Sequence, residues 1–175
     1  GLQARETTIT DGFNPKRYLV FTRPIEWRDG IEKEPKHYRP IDIAFRIDDD
    51  GFIRNERKPL IVLFPTKIET HLGLLINGLY RTPAHRESIK EDDPFNEHLI
   101  RETAALLHNS LFALKERGVL TLNLLETLPI VEADFPPGNL LRPLFETVRL
   151  TLSEQPLLPT ESGNFVAGKH AKLAR

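Results

Sequence analysis

Apolar residues are spaced differently in the two halves of this chain. In the first half, short β-branched and aromatic runs are separated by polar, proline and glycine clusters at hairpin-like intervals, which predicts strands. Residues 16–23 form one run, ended by Pro24. Residues 41–47 alternate, with Ile41, Ile43, Phe45 and Ile47 on one side. Asp50-Gly51 supplies a turn with left-handed backbone, after which Phe52 and Ile53 return. Residues 60–64 read as a fully apolar strand stopped by Pro65, and residues 72–80 as another. Gly73 and Gly78 inside the last run predict a bulge or a close backbone approach.

The second half has the period of helices. Asp93 is placed to cap a helix, Pro94 suits its first position, and the acidic Glu91 and Asp92 just upstream suit the helix dipole. Phe95, Leu99, Ile100, Thr103, Ala104, Leu106, Leu107, Leu111, Ala113 and Leu114 fall on about half of the helix circumference, a stripe wide enough to pack on a sheet. Lys115 and Arg117 fit the last turn, and Gly118 the C-terminal cap. Shorter helices are expected at residues 122–128, before Pro129, and at 140–152, with Pro143 near the start. The fold class is therefore α+β: a mostly antiparallel sheet covered by one long amphipathic helix, then a smaller helical part. A boundary near Leu120 divides residues 1–120, the sheet and long helix, from a helical extension at 121–175.

Composition narrows the function. The 175 residues suit one domain or slightly more, and 24 Lys+Arg against 25 Asp+Glu leave a net charge of −1. That balance argues against a nucleic-acid partner bound through a global positive field. With no cysteine there is no disulfide, thiolate metal site or cysteine nucleophile. No apolar run approaches the ~20 residues of a membrane span, so no membrane partner is expected. No signal peptide is visible, which makes the cytoplasm the expected location. There is also no methionine, and the basic run from Gly168 to Arg175 has no stop signal, so the chain reads as a piece of a larger protein, cut short at its C-terminus.

Several motifs invite chemistry. Gly163 to His170 has the glycine and lysine spacing of a P-loop, but His170 replaces the magnesium-binding hydroxyl and Phe165-Val166 replace the phosphate cradle. A plain turn, strand and helix start is expected there. Asp42 followed by Glu56-Arg57-Lys58 echoes the two carboxylates and lysine of a metal-dependent nuclease, the weakest of three functional readings. Asp48-Asp49-Asp50-Gly51 lacks the alternating acids of a calcium loop and reads as a hairpin turn. None of the six histidines pairs with another at metal-ligand spacing, and His98 and His108 are expected on the polar side of the long helix. No metal site is expected. The polar loop from Arg81 to Asp93 carries Arg81, His85 and Arg86. These arginines either present guanidinium groups to phosphate or carboxylate, or pair with Glu87, Glu91, Asp92 or Asp93 nearby.

A family resemblance rests on longer stretches. Leu60-Ile-Val-Leu-Phe-Pro-Thr66, Leu72-Gly-Leu-Leu-Ile-Asn-Gly-Leu-Tyr-Arg81, Arg86-Glu-Ser-Ile89 and Asp93-Pro-Phe-Asn96, leading into Leu99-Ile-Arg-Glu-Thr103, resemble sacsin-type repeats and related bacterial ATP-binding proteins. The run from Leu158-Pro-Thr160 through Gly163-Asn-Phe-Val166 to Ala174 is similar to that family's downstream segment. In such proteins a GHKL-type nucleotide domain, like that of the ninety-kilodalton heat-shock protein, precedes a segment of this kind. The resemblance implies a middle or transducer segment that couples an upstream nucleotide-binding domain in cis to a protein partner or client. The Glu…Asn pair, adenine loop and glycine-rich lid of GHKL ATPases are not in the sequence, so the fragment is expected to be no enzyme and to hold no cofactor itself. ATP and magnesium would belong to the longer parent, a candidate ATPase. By the same analogy Arg86 is the first candidate, and Arg81 the second, to sense the γ-phosphate in trans. A protein-interaction module without nucleotide coupling is the alternative.

Overall fold

The structure, a computed structural model, describes residues 2–11, 14–27, 37–85, 87–90 and 92–171. It is an α+β arrangement. The strands are β1 (Arg5–Asp11), β2 (Asn14–Trp27), β3 (His37–Ile47), β4 (Ile53–Arg54), β5 (Pro59–Val62), β6 (Phe64–Glu69) and β7 (Leu75–Gly78). They form one sheet in the order β1-β2-β3-β7-β5-β6, with β4 beside the end of β3. All pairings are antiparallel except β5 with β7, where Ile61 lies opposite Asn77 in a parallel pair.

Alternation along β2 and β3 sorts the side chains onto two faces. Leu19, Phe21, Ile41, Ile43, Phe45 and Ile47 point into the main core, where Phe21 and Phe45 meet edge to face at 6.2 Å. Ile43 lies opposite Ile76 of β7, and both are fully buried. On the other face Tyr18, Val20 and Ala44, with Leu75 against them, make a second and much smaller apolar cluster.

The long helix α1 (Pro94–Glu116) covers the first face with the expected stripe, to which Asn96 and Ser110 are added. Asp93 caps it by accepting from the backbone N–H of Phe95 and Asn96. At the other end Gly118 is left-handed, with φ 73°, and its N–H reaches the Lys115 carbonyl while that of Val119 reaches the Leu114 carbonyl. That pair of bonds is a Schellman closure, which only glycine completes without strain. Next come α2 (Leu122–Leu125), α3 (Arg142–Glu154) and a short hairpin of β8 (Leu158–Pro159) and β9 (Phe165–Val166). Leu124, Leu128, Phe135, Leu144, Phe145, Val148 and Leu157 are buried in the same continuous core as the sheet and α1.

Four expectations are corrected. The strand expected to end before Pro24 continues to Trp27, with Pro24 directly opposite Pro40. Both prolines lie beyond the last paired residues of the outer neighbours β1 and β7, so the ladder does not miss their absent N–H groups. The strand expected at residues 60–64 turns back at Leu63, and Pro65 sits inside the edge strand β6. Of the run expected at 72–80 only Leu75–Gly78 is strand; Gly73 serves the expected close approach, since a Cβ there would stand 2.8 Å from the Thr127 backbone. His108 faces α3 rather than solvent: its Nδ1 is 2.7 Å from Thr151 Oγ1, whose own proton goes to the Thr147 carbonyl. His108 is therefore the donor, and the bond ties the two helices together.

Candidate functional site

The polar loop between β7 and α1 is held by one buried amide. Asn96, fully buried in the first turn of α1, accepts from the Arg81 N–H at 2.7 Å and donates to the Arg81 and Lys90 carbonyls, each at 2.8 Å. The Lys90 N–H also donates to the Arg81 carbonyl at 3.0 Å. Both roots of the loop are thereby closed on the same point. The neighbouring residues anchor it further. Ile89 is buried in the core, and Tyr80, also buried, donates to Thr103 Oγ1 at 3.2 Å because the threonine proton is given to the Leu99 carbonyl. Burial pushes the Tyr80 phenol up to about 12.

Within this frame Arg81 folds back. Its guanidinium lies 5.0 Å from the centre of the Phe95 ring, with Nη1 3.5 Å from Asp93 Oδ2, so the pairing with Asp93 foreseen as an alternative to phosphate contact is present. Glu87 pairs instead with Lys67 of β6 at 2.7 Å, and the Lys67 N–H donates to the Glu87 carbonyl at 2.8 Å. The Lys67 hydrogen bond holds the Glu87 carboxyl below its ordinary range. His85 is exposed, with Nε2 3.3 Å from Ser88 Oγ. Arg86 and Glu91 lie outside the described residues.

The β5–β6 hairpin joins this end of the molecule. Because β5 runs parallel to β7, its turn emerges at the same end of the sheet as Arg81. That turn exposes Leu63 and Phe64, at 71% and 69%, and Leu63 is left-handed with φ 61°. A non-glycine residue in this region is strained.

The other motifs resolve into local structure. Asp42 accepts from Thr22 Oγ1 at 2.6 Å and from Asn77 Nδ2 at 3.0 Å. Asp48 and Gly51 form the expected hairpin turn, with the Asp48 carboxylate on the Phe52 N–H and on Arg54. At the P-loop-like stretch Gly163 turns the β8–β9 hairpin, Lys169 pairs with Glu154 at 2.5 Å, and Gly168 lets the chain pass the end of α3, where a Cβ would meet the Leu152 carbonyl at 3.1 Å. Among the described residues no group of three or more His, Asp or Glu is placed to hold a metal ion, and no helix is long and apolar enough to cross a membrane.

Glu56, singled out as a nuclease-like carboxylate, lies instead in a cationic cluster on the sheet face away from α1. Its Oε1 is 2.5 Å from Lys16 Nζ, 3.6 Å from Lys58 Nζ and 3.9 Å from Arg46 Nη1, while Oε2 accepts from the Tyr18 hydroxyl at 2.8 Å. Burial works to raise its pKa, but the bonds from Lys16 and Tyr18 and the charges of Lys58 and Lys16 outweigh it and leave the carboxyl below its ordinary value. Sequence reasoning missed Lys16, Tyr18 and Arg46 here. Only the strand alternation that puts positions 16, 18 and 46 on one face pointed to them. No protein-family model, curated protein or solved structure matches this chain.

Proposed function

We propose that the chain is a middle, or transducer, segment of a sacsin-like GHKL protein, passing the nucleotide state of an upstream domain to a protein partner or client. The observation that supports this reading is the Asn96 clasp. A solvated connection needs no buried amide to fix its shape. A loop that brings a cation to a phosphoryl group does, because the stabilisation of developing charge depends on donors already in position. In this reading ATP and magnesium belong to the upstream domain, and the chain catalyses nothing on its own. Arg86 is the first candidate to meet the γ-phosphate, where positive charge stabilises the transition state. Arg81, drawn back onto Asp93 and Phe95, is the second candidate and braces the root of the loop.

One observation favours a plain protein-interaction module as the second reading. Leu63 and Phe64 expose apolar surface at the same end as the loop, and such surface commonly marks contact with another protein. Nucleotide turnover by the isolated chain and by the longer parent separates the two. The transducer reading expects turnover by the parent and none by the chain. Turnover by the chain itself contradicts it, and a parent without a nucleotide-binding domain transfers the lead to the interaction module.

A further inference from the structure

We propose that the cluster around Glu56 is a binding site for a dianionic oxyanion of the phosphate class. The site stands apart from the loop discussed above: β3 runs antiparallel to β7, so Arg46 near the end of β3 lies at the opposite end of the sheet from Arg81.

Among the described residues the charges of this cluster do not balance. Lys16, Arg46 and Lys58 all converge on one oxygen of Glu56, and Glu56 is the ion-pair partner of all three. Its depressed pKa keeps Glu56 ionised at neutral pH. One negative charge thus faces three positive ones. Of the acids nearby, Asp48 is engaged by Arg54, Asp49 lies on the exposed turn, and Glu69, which lines the hollow beside Lys58, is exposed with its carboxylate 3.7 Å from His71 Nδ1. Arg57, exposed beside Lys58, adds another positive charge.

The cations are also partly buried and pre-positioned. The side chains of Lys16, Arg46 and Lys58 retain only 23%, 36% and 34% exposure. Holding three like charges this close around a single counter-charge is unfavourable, and it is relieved by an incoming anion. A single carboxylate, already present as Glu56, leaves two positive charges over. A phosphate group brings two negative charges in a compact tetrahedron that lysine and the arginine fork both engage. Tyr18, 2.8 Å from the far oxygen of Glu56, fixes that carboxylate as the post on which the cations are arranged. Open hollows lie on both sides: about 380 Å³ beside Lys16 and Arg46, and about 230 Å³ beside Arg57, Lys58 and Lys67. Glu56 is accordingly a positioning residue, while Arg46 and Lys58 are the ligand contacts.

Titration calorimetry on the folded chain with inorganic phosphate, O-phosphoserine and acetate, at matched low ionic strength, tests the site. Phosphate, phosphoserine or both should bind saturably with one site per chain, and acetate should not. Arg46→Ala and Lys58→Ala should each weaken binding by roughly tenfold or more, as expected for loss of a charge-assisted contact, while Lys169→Ala, which opens the remote pair with Glu154, should not. Lys58→Gln replaces Lys58→Ala if the latter does not fold. Binding of phosphate and phosphoserine alike identifies the free dianion as sufficient, and binding of phosphoserine alone points to a phosphorylated side chain. Binding of neither, or equal binding by the folded Arg46 and Lys58 variants and the parent sequence, overturns the proposal.

Discussion

The side-chain amide of Asn96 grips both backbone groups of Arg81, taking its N–H at 2.7 Å and giving a proton to its carbonyl at 2.8 Å. Asn96 is fully buried, so no water replaces these bonds when the amide is removed. Asn96→Ala should therefore destabilise the chain by about 2–4 kcal/mol, the cost of leaving buried backbone groups unsatisfied. Chemical denaturation measures this directly. Asn96→Asp keeps the acceptor but loses both donations and adds buried charge, so it should be no better tolerated. A loss below ~0.5 kcal/mol in Asn96→Ala would show that the loop root is held by something else.

Leu63 offers a test with opposite signs. It is left-handed and mostly exposed, so Leu63→Gly removes strain while sacrificing little packing. The outcome should range from neutral to ~1 kcal/mol more stable, whereas β-branched Leu63→Val should be less stable than the parent. Thermal melts of the two variants should move apart. Marked destabilisation by Leu63→Gly would contradict the assigned backbone.

Gly73 is required for close approach rather than for a special dihedral. A Cβ there would stand 2.4 Å from Asn55 Oδ1 and 2.8 Å from the Thr127 backbone. Asn55 can move, but the backbone of residue 127 cannot yield cheaply, because the Gly73 N–H donates to the Thr127 carbonyl at 2.9 Å. Gly73→Ala should cost about 1–3 kcal/mol by overpacking. Gly118→Ala meets no atom within 4 Å, and its cost, ~1 kcal/mol, should come from the left-handed φ alone. Equal stability of Gly73→Ala and the parent in urea titration would remove the close contact.

The helix that carries the loop was legible, and much of the sheet edge was not. Phe95 through Leu114 repeat with a helical period, and Asp93-Pro94 and Gly118 punctuate the ends, so local chemistry alone sets α1. The sequence of β1 is nearly all polar, with Ile9 its one large apolar residue; it becomes a strand by pairing with β2, an interaction its own residues do not advertise. Pro24 and Pro65 mislead because a proline stops a strand only where its N–H is needed, and each sits where no neighbour asks for one. At the candidate site, Asp93 and Arg81 were visible, but the clasp was not. An asparagine in a capped first turn looks like a polar surface residue until the loop is seen to fold over it. Glu56 needed Lys16, forty positions away.

Acid should reveal the Glu56 cluster. Its carboxyl lies below its ordinary value in the folded chain, so it contributes stability that is fully present above the unfolded-state pKa. That contribution fades as pH falls from near the ordinary glutamate value of 4.5 through the lower folded value. The denaturation midpoint should therefore decline over this window, and Glu56→Gln, which lacks this contribution at every pH, should start from a lower midpoint between pH 6 and 8 and show a flatter decline. An identical acid limb in Glu56→Gln and the parent would show that the cluster does not couple to folding.

The coupling role is tested most directly by nucleotide turnover in the longer parent protein with Arg86→Ala. The transducer reading predicts that hydrolysis slows by roughly tenfold or more while nucleotide affinity is nearly unchanged, because the lost interaction forms chiefly with charge developing in the transition state. Arg81→Ala, measured alongside, should show whether the residue held by Asp93 and Phe95 shares that role or only braces the loop. Normal turnover in stable, folded Arg86→Ala and Arg81→Ala proteins would contradict phosphate sensing by this loop.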